Sequence, residues 1–118
     1  MSELVWGIKN GDLDQVRDNI ENKDIDVNQM IDGRTPLHYA ADYGQTEVLR
    51  YLMDKGADLN ATDKHGITVL LAAIWEGHTN CVKLLLEKGV KTDGKTPDGA
   101  SYLDAAEKDE IKELLKTH

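Results

Sequence analysis

The sequence predicts an all-α solenoid of about four stacked helix–turn–helix units, joined by β-hairpin-like finger turns. Three observations predict it. Gly33, Gly66 and Gly99 recur at a step of 33 residues, and Gly11, Gly44 and Gly77 keep that step. The stretch from Gly33 to Gly44 returns, blurred, from Gly66 to Gly77, with Thr35/Thr68, Leu37/Leu70 and Ala40/Ala73 in matching places. Apolar residues within each unit fall three and four apart, the period of a helix face. A repeat of this length marks supersecondary units that bury their faces only against one another. In 118 residues about four copies fit one domain, as units 1–29, 30–62, 63–95 and 96–118.

The first unit lacks an opening finger. Leu4 and Ile8 share one face of a first helix, which Asn10-Gly11 ends; Leu13, Val16 and Ile20 stripe the second. Glu3, Lys9, Arg17 and Asp18 suit a solvated outer side, as a terminal repeat requires. In the second unit Asp32-Gly33 supplies the finger tip. Thr35 is placed to cap a helix that Pro36 opens, because a hydroxyl can accept an orphan N–H and proline has none to leave over. Leu37, Ala40 and Ala41 make a narrow inner face, Gly44 ends that helix, and Val48, Leu49 and Leu52 mark the next.

The third unit repeats this plan with Val69 for the proline and Leu71 for the histidine. Cys81, Val82 and Leu85 give its second helix a buried face. In the fourth, Ser101 followed by Asp104 reads as a capping box. The turn between its helices is three residues short, since Glu110-Ile111 otherwise matches Glu47-Val48. Ile111, Leu114 and Leu115 face inward and Lys108, Lys112, Glu113 and Lys116 outward, a second polar cap. Polar caps at both ends favour a monomer.

The net charge of −8 disfavours nucleic acid or an anionic membrane as partner. No apolar run reaches the length of a membrane span. The N-terminal residues lack a basic-then-apolar leader, and the single cysteine, Cys81, has no internal partner, which together point to a reducing interior compartment.

No catalytic or metal constellation is evident, so no enzyme and no cofactor are expected. His38, His65, His78 and His118 occupy unlike positions in the repeat, without zinc-ligand spacing. His38 reads as a partner of the helix cap, and Cys81 as an inert buried thiol. The paired carboxylates Asp12/Asp14, Asp24/Asp26 and Asp109/Glu110 read as solvated charge on turns and caps. Asp93-Gly94-Lys95-Thr96 lacks the upstream glycine of a phosphate loop and reads as a turn.

Binding is better supported. Residues flanking the finger tip, and the two before the helix-ending glycine, have no place in the core of such a stack. They are Ile31, Asp32, Arg34, Asp42 and Tyr43 in the second unit, and Lys64, His65, Ile67, Trp75 and Glu76 in the third. Trp6 stands 33 residues before Tyr39, on the same face of the first helix. Trp, Tyr and Arg are enriched at binding hot spots. For Trp75, packing between adjacent helices is an equal alternative to contact; for Trp6, near an end, contact is favoured.

The segment Thr35-Pro36-Leu37-His38-Tyr39-Ala40-Ala41 resembles the ankyrin repeat. More narrowly, Trp6 to Asp14, Pro36 to Asp42, Asp63 to Thr68, Glu76 to His78, Cys81 to Leu86 and the overall length resemble a branch of that family that inhibits actin capping protein. The chain departs from that branch in a finger, Gln29 to Arg34, that looks about one residue short, and in Val69. The resemblance implies a cytoplasmic protein, with nuclear partners also open, that binds the capping protein heterodimer and keeps it from the actin barbed end. Trp6, Asp32 and Arg34 match the region that branch uses; Tyr39, Asp42 and Tyr43 extend it. Another ankyrin regulator, such as a kinase inhibitor or transcription-factor adaptor, is the alternative.

Overall fold

A computed structural model describes residues 2–118; Met1, the first residue of the expected first unit, lies outside them. The described residues form eight α-helices in successive pairs: α1 (Glu3–Lys9) with α2 (Leu13–Arg17), α3 (Pro36–Asp42) with α4 (Thr46–Asp54), α5 (Val69–Trp75) with α6 (Thr79–Glu87), and α7 (Tyr102–Ala105) with α8 (Asp109–Lys116). The first helices pack in one row, α1 to α3 to α5 to α7, and the second helices in another. The body is 40 Å long against 24 and 21 Å across, the shape of a short stack. Leu4, Ile8, Leu37, Leu49, Leu70 and Leu85 are buried in one continuous core between the rows.

Local chemistry starts each first helix. Thr35 Oγ1 accepts the His38 N–H at 3.3 Å, and the Thr35 N–H donates to His38 Nδ1 at 3.3 Å, so histidine completes a reciprocal cap. Thr68 and Ser101 accept from the N–H of Leu71 and Asp104 at 3.1 and 3.0 Å. The capping box expected of Ser101 and Asp104 is half made: among the described residues the Asp104 side chain returns no hydrogen bond. The second helix of the first unit also differs from a plain α-helix. It passes at Asp18–Asn22 into a π turn, where the Asn19 amide donates to the Gln15 carbonyl at 2.8 Å and the bonding step lengthens to five residues.

The fingers are held by isolated bridges, Ile31 with Arg34, Thr62 with Thr68 and Lys95 with Ser101. In the third unit the Asp63 carboxylate accepts the N–H groups of His65 and Ile67, and in the fourth Thr96 Oγ1 accepts that of Ala100. Met30 stands at the equivalent place in the second unit and has no such acceptor. Its finger therefore closes as a tight two-residue turn, with Asp32 at φ 53° and Gly33 at φ 81°. Aspartate tolerates that region better than most residues. At Gly33 a Cβ would also run into the Lys64 side chain, which lies across the tip.

A ladder joins the inter-helix turns. Gln45 Nε2 donates to the Lys9 carbonyl at 2.9 Å, His78 Nε2 to that of Asp42 at 2.9 Å, and Lys108 Nζ to that of Gly77 at 2.7 Å. Lysine, the longest of the three, bridges where the fourth unit's turn is shortened.

Candidate protein-binding surface

Most of the expected contact residues converge. Asp32, Arg34, Asp42, Lys64, His65, Ile67, Trp75 and Glu76 line one groove of about 290 Å³, together with Asp63 and Ala72. The finger tips of the second and third units form one wall, and the ends of α3 and α5 the other. A backbone bond from the Lys64 N–H to the Gly33 carbonyl, 2.8 Å, fixes the two tips relative to each other.

Three large aromatic side chains stand in solvent: Trp6 is 49% exposed, Trp75 46% and Tyr43 43%. None of them fills the interior. Lys9 Nζ sits 5.1 Å from the centre of the Tyr43 ring, a cation–π contact that steadies both.

Tyr39 behaves otherwise. It is only 6% exposed, and its hydroxyl donates to the Ile31 carbonyl at 2.7 Å, so it supports the finger from beneath and offers a partner almost no area. Burial raises the pKa of its phenol above 10.0. The expectation for Tyr39 came from its register with Trp6, but the two differ in cover. Tyr39 lies under the Ile31–Arg34 finger, whereas no bridged finger among the described residues lies over Trp6 in α1. Ile31 is likewise half-buried and packs against the core, contrary to its expected placement outside.

Charge on this side is unevenly committed. The Arg34 guanidinium pairs with Asp42 at 3.5 Å and lies 4.7 Å from the Tyr39 ring centre. Burial opposes ionisation of Asp63, yet the N–H donors of Ile67 and His65 prevail and hold its carboxyl below 3.8. Asp32, Glu76 and Lys64 take part in none of the ion pairs among the described residues, which leaves two carboxylates against one ammonium. The uncommitted charge facing solvent here is thus mainly negative.

The buried titratable groups serve the fold. His38 is fully buried; because Nδ1 accepts from Thr35, the proton rests on Nε2, which donates to the Ile67 carbonyl at 2.8 Å. Burial lowers its pKa below 6.5. Cys81 is buried, and desolvation raises its thiol pKa above 9.0, away from nucleophilic character. No group of three or more potential metal ligands occurs among the described residues.

A family model described as Ankyrin repeats (3 copies) matches residues 4–96. The chain belongs to the ankyrin repeat family. As an ankyrin chain it is a protein-binding module, and its matched residues end where the fourth finger begins, leaving α7 and α8 outside them. It is 54% identical over 114 residues to Myotrophin from Xenopus tropicalis, covering 96% of each chain. It is 45% identical over 89 residues to the 26S proteasome non-ATPase regulatory subunit 10 from Dictyostelium discoideum, covering 74% of this ankyrin chain and 38% of that one. Against the E3 ubiquitin-protein ligase hecd-1 from Caenorhabditis elegans it is 36% identical over 105 residues, 88% of this chain and 4% of that one. No helix among the described residues is long and apolar enough to cross a membrane.

Proposed function

We propose that the chain is a non-enzymatic, monomeric cytoplasmic protein that binds the actin capping protein heterodimer and sterically blocks its access to filament barbed ends. The observation that carries a macromolecular contact is the exposure of Trp6, Tyr43 and Trp75, the last of which lines a groove with spare carboxylates. Aromatic rings held rigidly in water lose little conformational entropy on contact, so they serve well as anchors. The choice of partner rests on the end-to-end likeness to Myotrophin and on charge, since a −8 chain suits a basic docking surface.

Pyrene-actin elongation from barbed ends, with capping protein present, tests the proposal. Growth should be restored in proportion to added protein. No restoration at saturating dose would overturn it. An affinity capture that returned a kinase and no capping subunit would instead favour a different ankyrin regulator.

A further inference from the structure

Trp75 is shared between two grooves. It lines the groove of the second and third units and also a separate groove of about 390 Å³ against the fourth finger. The second groove is walled by Trp75, Pro97 and Ala105 and carries the carboxylates of Asp98 and Asp104, with no lysine, arginine or histidine in its lining. Neither carboxylate belongs to any ion pair among the described residues.

Lys64, which lines the neighbouring groove with Trp75, does not line this one. Lys108 Nζ donates to the Gly77 carbonyl, and Arg34 is held by Asp42 and Tyr39. Lys95 lies on the finger, opposite Ser101 at the bridge, and does not line the groove. The Thr96 hydroxyl donates to Asp98 and keeps its carboxyl below 3.8, so that charge is present at neutral pH. An indole face next to two unpaired carboxylates suits a guanidinium, which stacks on the ring while its N–H groups reach the oxygens.

We propose that the groove between Trp75 and the fourth finger is a second contact lobe, receiving an arginine side chain of the protein partner. This lobe rests on the reading that the finger side of the stack binds a protein. It extends the contact surface beyond Glu76 into the fourth unit, with Trp75 as the divider between lobes.

Two measurements test it. With capping protein as ligand, the Asp98→Asn/Asp104→Asn double variant should weaken affinity roughly tenfold at low salt, and the gap should narrow as salt rises. Trp75→Ala should weaken it roughly 30-fold. If wild type binds and Trp6→Ala weakens it, but the double variant changes neither affinity nor salt dependence, the second lobe is overturned while the partner stands. If wild type does not bind capping protein, the partner is wrong and a second measurement decides the lobe alone. There the probe is the peptide acetyl-Gly-Arg-Gly-amide, titrated into the intact chain while the Trp75 indole N–H is followed by NMR. The resonance should shift with this peptide, far less with its glutamate counterpart, and far less in the double variant. Absence of a shift, or an equal shift in the double variant, overturns the lobe.

Discussion

His38 Nε2 in the second unit and the carbonyl oxygen of Ile67 in the third meet at 2.8 Å, with the other ring nitrogen occupied by Thr35. One neutral imidazole thus starts its own helix and carries the neighbouring finger. Protonation at Nδ1 would set a donor against the Thr35 N–H inside the core.

The pH dependence follows from this pair. Burial lowers the folded pKa of His38 below the 6.5 of the unfolded chain. Between those values the unfolded state binds more protons, so stability rises with pH there. The His38 contribution is whole above about 6.5 and is lost as pH falls toward the folded pKa. Melting temperature should drop below pH 6.5, and His38→Gln, though less stable, should show a shallower drop. Equal slopes in thermal scans would refute this.

Trp6→Ala should cost about 2 kcal/mol of partner affinity, the scale of a hot spot. With half its surface in water, its removal should shift the melting temperature little. Calorimetric titration alongside thermal scanning checks both. A large stability loss with intact affinity would place Trp6 in the core.

Asp32 and Asp42 should respond differently to neutralisation. Asp32→Asn keeps a residue that tolerates the left-handed turn and removes an unpaired charge, so association should slow at low salt with stability unchanged. Asp42→Asn also releases Arg34, which should add a stability loss of about 0.5 kcal/mol, within the range of partly exposed pairs. Stopped-flow association at two salt concentrations, with denaturant melts, separates the two.

Tyr102→Phe should destabilise by about 1 kcal/mol, because the hydroxyl meets Thr68 Oγ1 at 2.7 Å and ties the fourth unit to the third. Chemical denaturation measures it. An unchanged midpoint would mean that water replaces the bond at no cost.

The repeating part of this fold was legible because each signal is local. Thr35, Thr68 and Ser101 cap helices whatever surrounds them, and a 33-residue glycine step needs no tertiary knowledge. What escaped depends on neighbours in space. Trp6 and Tyr39 share a register, yet a finger covers one and not the other. Arg34 and Asp42 are both expected outside the core, but nothing in their spacing of eight residues announces that they pair. The second groove needs the fourth finger beside Trp75, and no spacing within a single unit announces that meeting. The finger at Gln29 to Arg34 closes through Asp32 and Gly33, where the third unit's closes on the Asp63 carboxylate.

The ladder of Gln45, His78 and Lys108 along the inter-helix turns has a counterpart in the connections that lead from the second helices to the fingers, where Asn28 and Asn60 accept the N–H groups of Asp58 and Lys91 at 2.8 and 2.9 Å. Stitched along both margins, successive units resist opening like a fan. Trp6, Tyr43 and Trp75 are then spaced before any ligand arrives, and docking should proceed as a key enters a rigid lock, with little backbone rearrangement and a small entropic toll.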